Sequence, residues 1–159
     1  MHIHSLGSQG RIIMARVLPD SDLVQAIKEI AEENNINSGY ITTCIGSLKK
    51  ASFVYPVSKS NTYFNMVYSD NVALEGPIEL LGCQGVFGKD EKGNFQIHLH
   101  GVLSDEKMTV YGGHILDEGN IVLVTIDLVL QEVVGINLKR NYDAKSGFSF
   151  FIPSSEREE

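Results

Sequence analysis

A single segment of the chain carries the periodicity of a helix, and this limits the fold more than any other feature of the sequence. Its apolar residues recur three and four positions apart, as on one face of a helix. They are Leu23, Ala26, Ile27, Ile30 and Ala31. Asp20 and Ser21 precede this stripe, and their side-chain oxygens suit the capping of a helix N-terminus. We therefore predict one main helix, close to the N-terminus.

The other apolar segments are short and are separated by polar turns, which is typical of antiparallel strands. Strands are predicted over residues 10–17, 40–45, 51–57, 62–68, 78–87, 95–103, 108–114, 121–130 and 147–152. The polar residues at 58–61 and 117–120 are predicted to form hairpin turns. Many short strands combined with one helix indicate an α+β fold with a closed or two-layered sheet.

The length of 159 residues favours a single domain, which we place at residues 1–152. Residues 153–159 are mostly polar and charged, and we predict a disordered acidic tail there. No apolar run approaches the roughly 20 residues that a membrane-spanning helix needs. Residues 1–10 also lack the continuous apolar stretch of a secretory signal, so neither a membrane nor a secretory location is expected.

Charge and cysteine content narrow the partners and the compartment. The chain has 13 Lys and Arg against 20 Asp and Glu, which gives a net charge of −7. Such a chain repels the phosphate backbone of nucleic acids, because binding to it requires a basic surface. Cys44 and Cys83 are too few and too far apart for a disulfide framework or a CxxC motif. We expect both to be free thiols in a reducing cytoplasm.

Three histidines form the most informative pattern in the sequence. Side chains alternate between the faces of a strand, so His98 and His100 point to the same side of the strand predicted at 95–103. His114 lies 14 residues further on, and an antiparallel return would bring it beside the pair. Gly112 and Gly113 precede it and allow close approach of the backbone or of an ion.

Three neutral imidazoles favour Zn²⁺ or another divalent transition metal over Mg²⁺ and Ca²⁺, which prefer oxygen ligands. Three protein ligands with one open position are typical of catalytic zinc sites, in which zinc lowers the pKa of a bound water to about 7. The competing interpretation is a pair of solvated strand histidines with no ion. His2 and His4 repeat the spacing at the N-terminus, where we interpret them as incidental.

Two carboxylates are candidates for supporting roles at this site. Glu79 lies at the start of an apolar strand and is a candidate fourth ligand or general base. Asp127 is a candidate for orienting a ligating imidazole from outside the metal's own ligands. For both residues the alternative is a side chain that simply faces water.

Several blocks of the sequence, taken in order, resemble the plants and prokaryotes conserved (PPC) domain. The resemblance covers residues 11–138. Its blocks are Arg16 with Asp20-Ser21-Asp22, Ile45-Gly46-Ser47, Gly76-Pro77-Ile78-Glu79-Leu80-Leu81 with Gly85, His98-Leu99-His100, Gly112-Gly113-His114 and Thr125-Ile126-Asp127. The resemblance implies a mostly antiparallel, strongly curved sheet and a homotrimer. It also implies a fold similar to that of acetolactate decarboxylase, a zinc lyase with an HxH…H triplet.

Three functions follow as alternatives. The first is a trimeric protein with a zinc-dependent site at His98, His100 and His114 that binds a small carbonyl or carboxylate ligand. Its chemistry would be that of a lyase or hydrolase, assisted by Glu79 as a base or by Arg16 as an anion partner. The second is a DNA-associated regulatory protein, although the Arg-Gly-Arg-Pro hook of plant family members is absent. The third is a trimeric interaction module that uses exposed apolar strands such as 51–57.

Overall fold

The computed structural model describes residues 1–156, in which one helix and ten strands succeed one another. The helix is α1 (Leu23–Glu33). The strands are β1 (Ser8–Val17), β2 (Gly39–Val54), β3 (Pro56–Ser58), β4 (Met66–Tyr68), β5 (Val72–Asp90), β6 (Phe95–Asp105), β7 (Val110–Ile115), β8 (Ile121–Val134), β9 (Ile136–Asp143) and β10 (Phe148–Ser155). The predicted α+β class with a single main helix is confirmed for the described residues.

Eight strands form one sheet in the order β1-β8-β2-β7-β6-β5-β9-β10, and β3 and β4 form a separate hairpin. All neighbours in the large sheet are antiparallel except β5 and β9. Strand β2 pairs with β5 along most of its length and reaches β7 at its end. Because β5 pairs with β6 and β6 with β7, the strands β2, β5, β6 and β7 form a closed circuit of neighbours. This closure requires the strong curvature that the family resemblance implies.

The hydrophobic core lies between the helix and the inner face of the sheet. The helix contributes Leu23 and Ile27, which are almost completely buried, and the sheet contributes Phe87, Leu99 and Leu128. Cys44 and Cys83 are also buried in this core, and both are free thiols. No helix within residues 1–156 has both the length and the apolar character needed to cross a bilayer.

The residue that caps the N-terminus of the helix lies after the two predicted caps, Asp20 and Ser21. Its N-cap is Asp22, whose Oδ1 accepts hydrogen bonds from the backbone of Val24 and Gln25. The second carboxylate oxygen of Asp22 accepts from the backbone N–H groups of Gly119 and Asn120 at 2.8 and 3.0 Å. One side chain therefore satisfies both the helix start and the loop before β8, a task that Asp20 and Ser21 are not placed to perform.

Several predicted strand limits differ from the structure. The predicted break after Ile45 is wrong, because β2 runs without interruption through Gly46, where a Cβ atom would lie 2.0 Å from the carbonyl oxygen of Thr125. The turn at 117–120 does not join paired strands, since β2 lies between β7 and β8. The prediction that the apolar strand at 51–57 is exposed is wrong for Ala51–Val54, because these residues are buried.

The C-terminal part of the chain also departs from the prediction. Strand β9 was not expected from the sequence, and it pairs along its whole length with β10. Residues 153–155 belong to β10, with Pro153 opposite Leu138, so they are not part of a disordered tail. The predicted tail residues 157–159 lie outside the described residues.

The two hydrogen-bonding functions of Asp22 predict its effect on stability. The substitution Asp22→Ala removes a helix cap and leaves two loop N–H groups without an acceptor, so the free energy of unfolding should fall by about 1–2 kcal/mol. Ser21→Ala, one residue earlier, should change it by less than about 0.5 kcal/mol. Chemical denaturation of the two variants measures the difference. Equal losses would show that Asp22 is not the cap.

Candidate metal centre

Strand β6 presents two of the three predicted histidines on one face of the sheet. Its side chains alternate, with Ile97 and Leu99 buried in the core and His98 and His100 exposed on the outer face. The alternation follows from the two-residue period of a strand. Two imidazoles are therefore held side by side outside the core, as the sequence predicts.

The third histidine arrives from the neighbouring strand. In the antiparallel pairing of β6 with β7, His114 lies directly opposite His100. On its other side, His114 is paired with Val54 at the end of β2. Gly113 permits this approach, because a Cβ atom there would lie 2.5 Å from the carbonyl oxygen of Val54. The position of His114 thus depends on two strands at once.

The three rings converge on a common point. Their centroids lie 4.9 Å apart for His98 and His100, 5.1 Å for His98 and His114, and 5.4 Å for His100 and His114. One nitrogen from each ring lies within 4.8 Å of the others, and the Nε2 atoms of His98 and His100 are 3.0 Å apart. Ligands of a tetrahedral zinc ion at about 2.0–2.1 Å are separated by roughly 3.3 Å. Small rotations of the rings therefore suffice to place the three nitrogens around one ion.

The environment keeps these imidazoles in the form that binds metals. The pKa of His114 is lowered to about 4, mainly by burial and then by the neighbouring His98, His100 and Arg140 in that order. Burial also lowers the pKa of His98, with smaller contributions from His100 and Arg140. At neutral pH both rings are uncharged, so their nitrogen lone pairs are available to a cation.

His114 has an additional feature that fits a ligand. Its Nδ1 atom is buried and has no hydrogen-bond partner within the described part of the chain. A buried polar atom without a partner is unfavourable, and native structures satisfy most such atoms. A donor set of three imidazoles with one unsatisfied nitrogen fits a transition-metal ion.

Two shallow depressions on the outer face flank the cluster. One, of about 480 Å³, lies along β5, β6 and β7 and includes Gln84, His100 and Gly112. The other, of about 590 Å³, lies towards β2 and includes Tyr40, His98 and His100. The exposed side of the cluster is therefore accessible to small molecules from solvent.

A third pocket, of about 280 Å³, lies on the side of the cluster that faces the C-terminal hairpin. It brings His98 and His114 together with Tyr68, Arg140 and Phe148. Sequence reasoning missed Arg140, although Lys139 and Arg140 form one of two adjacent basic pairs in the sequence. Strand β9, which carries Arg140, was not predicted, so nothing connected this arginine with the histidines.

The other predicted site residues lie elsewhere on the sheet. Arg16 donates a hydrogen bond from Nε to the hydroxyl oxygen of Thr125, and its Cα is paired with that of Asp127. Asp127 is exposed on β8, which β2 and β5 separate from β6, and it does not bond to Nδ1 of His114. Glu79 is exposed on β5 and does not belong to the group of converging ligand atoms. The roles of these three residues stay predictions.

Comparison with known proteins places the chain in a described family. The model of the Plants and Prokaryotes Conserved (PCC) domain matches residues 4–134. The Bifunctional protein GlmU of Synechococcus sp. is 24% identical over 138 residues, which make up 87% of this chain and 20% of that protein. The chain therefore spans about a fifth of the length of the curated relatives it matches.

Solved structures share the fold over nearly the whole chain. A PPC protein from Pyrococcus horikoshii has 26% identity and a TM-score of 0.78, with 94% of this chain and 96% of that chain covered. A metal-containing protein from Archaeoglobus fulgidus has 23% identity and a TM-score of 0.79, with 96% and 99% covered. Structures from Bacteroides thetaiotaomicron and Ralstonia eutropha, at 17% and 20% identity and TM-scores of 0.72 and 0.69, have names that suggest DNA binding.

Proposed function

Because this chain belongs to the Plants and Prokaryotes Conserved domain family, we propose that it is a metal-binding member in which His98, His100 and His114 hold a zinc ion. The observation that carries the proposal is the convergence of three ring nitrogens within 4.8 Å of one another. The name of the Archaeoglobus fulgidus neighbour, a metal-containing protein of the same fold, supports it further.

The choice of zinc follows from the ligands. The converging group contains three imidazoles and no carboxylate, which suits zinc and related transition metals better than magnesium or calcium. A bound zinc ion with an open position would polarise a carbonyl or carboxylate oxygen and lower the pKa of a bound water. The chain's own part is to orient three imidazoles and to leave their outer side open to a small ligand. Metal-dependent lyases and hydrolases act on ligands of this kind.

Metal content provides the direct test of the ligand set. Wild-type protein dialysed against a weak chelator should retain about one zinc ion per chain, measured by inductively coupled plasma mass spectrometry. His100→Ala removes one ligand and should weaken zinc binding by more than about tenfold. The matched control is His4→Ala, because His4 is an exposed histidine in the N-terminal segment before β1. Full zinc retention by the His100→Ala protein would contradict the ligand set.

We also propose that the protein is a homotrimer, as the family resemblance implies. The outer face of the sheet carries several large apolar side chains that water would otherwise cover, which is unusual for a monomer. On β1 these are Ile12, 64% exposed, and Met14, 81% exposed. On β2 and β8 they are Ile45 and Val124. This surface replaces the predicted interface at 51–57, because Ala51–Val54 are buried.

Sedimentation at micromolar concentration tests the assembly. Wild-type protein should sediment as a trimer, and Met14→Glu should dissociate it, because a carboxylate on an apolar interface loses its hydration. Met108→Glu is the matched control, since Met108 is 85% exposed in the turn between β6 and β7. A monomeric wild-type protein would contradict the proposal, and so would a trimer that tolerates Met14→Glu as well as Met108→Glu.

A DNA-associated role is the second candidate, and the names of two structural neighbours favour it. The net charge of −7 opposes it, because contacts with several phosphates are needed for measurable binding. A gel-shift titration with an A·T-rich duplex at low salt separates the candidates. We expect no shift. A salt-sensitive shift in the micromolar range would favour the DNA-associated role.

A reducing, cytoplasmic setting is also proposed, supported by the two unbridged cysteines.

A further inference from the structure

Strands β9 and β10 add a wall to the histidine cluster from a part of the chain that the family model does not match. The match ends at residue 134, and β9 begins at Ile136. The hairpin of β9 and β10 provides Arg140, Phe148 and Phe150 to the pocket of about 280 Å³ that also contains His98 and His114. The pocket therefore combines residues of the matched range with residues that β9 and β10 provide.

Arg140 is held in place with most of its hydrogen-bonding capacity unused. Its Nη1 donates to the carbonyl oxygen of Ile97, the residue before His98, at 2.6 Å. Its guanidinium lies over the ring of Phe151, 5.6 Å from the centroid. A guanidinium has five N–H donors, and the structure shows one of them in use within residues 1–156. None of the ion pairs found in that range includes Arg140.

A half-buried positive charge that forms no ion pair within residues 1–156 favours an anion. Among residues 1–156, the imidazoles of His98 and His114 are the ionisable partners of Arg140 that line this pocket beside Tyr68. Asp90 and Glu91 line a second pocket that also includes Arg140, but neither forms an ion pair with it. The pocket that contains the histidines thus has one arginine and no carboxylate among residues 1–156, although the chain has a net charge of −7. A guanidinium binds a carboxylate through two parallel hydrogen bonds, which gives both affinity and orientation.

Aromatic rings form the remaining part of the pocket. The ring of Tyr68 lies 5.5 Å from that of His114, at an interplanar angle of 33°. Phe148 packs edge-on against Tyr68 with centroids 5.7 Å apart. Rings arranged in this way provide an apolar surface that a flat hydrocarbon group can contact. A volume of about 280 Å³ lies at the lower end of the range for small-molecule sites and suits a ligand of one ring.

We propose that the β9–β10 hairpin makes this pocket a binding site for small aromatic carboxylates. Arg140 binds the carboxylate, and Tyr68 and Phe148 contact the ring. The inference rests on the proposed metal site, because a carboxylate held by Arg140 between His98 and His114 lies beside the position that the three histidines reserve for the ion. Inorganic phosphate shares the negative charge but gains nothing from the aromatic wall.

The test measures binding of benzoate and acetate by isothermal titration calorimetry, with zinc-loaded and chelator-treated protein in parallel. Wild-type zinc-loaded protein should bind benzoate at least tenfold more tightly than acetate. Arg140→Met should weaken benzoate binding by at least tenfold while the zinc content stays at the wild-type level. Arg16→Met is the matched control, because it applies the same substitution to the other candidate anion partner. Its benzoate affinity should stay within twofold of the wild-type value.

A second variant keeps the proposal testable if Arg140→Met does not fold, since Arg140 also ties β9 to β6. Phe148→Leu should weaken benzoate severalfold and leave acetate unchanged, because only benzoate contacts the ring. Unchanged benzoate affinity in both variants would overturn the proposal, and so would a loss caused by Arg16→Met alone or phosphate binding as tight as benzoate.

Failure of the metal site is distinguishable from failure of the anion site. If wild-type protein retains no zinc, the proposed function fails. Benzoate binding by the chelator-treated protein then decides the role of Arg140: a tenfold loss in Arg140→Met supports the anion site, and no binding at all overturns it.

Discussion

The closed circuit of β2, β5, β6 and β7 is the constraint on which the rest of the structure depends. Strand β2 pairs with β5 near its start, where Gly39 lies opposite Phe87, and with β7 at its end, where Val54 lies opposite His114. Since β5, β6 and β7 are themselves paired in sequence, the register of one pair limits the registers of the others. The position of His114 opposite His100 is therefore a consequence of the whole circuit. Gly85 and Gly113 allow the circuit to close, because a Cβ atom at each would lie within 2.5 Å of a carbonyl oxygen on a neighbouring strand of the circuit.

Burial selects which side of the sheet carries the site. Leu99 is fully buried between His98 and His100, so a slip of one residue in β6 would expose the leucine and bury both imidazoles. The hydrophobic core thus stabilises the register that presents the histidines to solvent. Neither imidazole has to contribute to folding for the cluster to form. The cluster is accordingly free to be a binding site, and its substitution should affect ligands more than stability.

The sequence correctly predicts the features that depend on the spacing of residues within one helix or strand. The stripe from Leu23 to Ala31 and the alternation around His98 and His100 both appear as predicted, because side-chain direction in a helix or strand follows directly from residue spacing. Strand pairing is not local, and there the prediction fails: 117–120 has the composition of a hairpin turn, but β2 lies between the strands it joins. The helix cap Asp22 also makes non-local contacts, because its second carboxylate oxygen accepts hydrogen bonds from Gly119 and Asn120 in the same distant loop. Arg140 was missed for a similar reason, since only the parallel pairing of β9 with β5 brings it to the histidines.

The placement of Arg140 has a consequence for the metal site itself. A guanidinium close to two of the three imidazoles disfavours any added positive charge there, which is why it contributes to the lowered pKa of His98 and His114. The same repulsion acts on a divalent cation, so Arg140 without an anion weakens metal binding. A carboxylate bound between them cancels the repulsion, and by thermodynamic reciprocity the metal then strengthens the binding of the carboxylate to the same extent. The proposed metal site and the proposed anion site thus form one unit, in which a cation and an anion would bind more tightly together than either would alone.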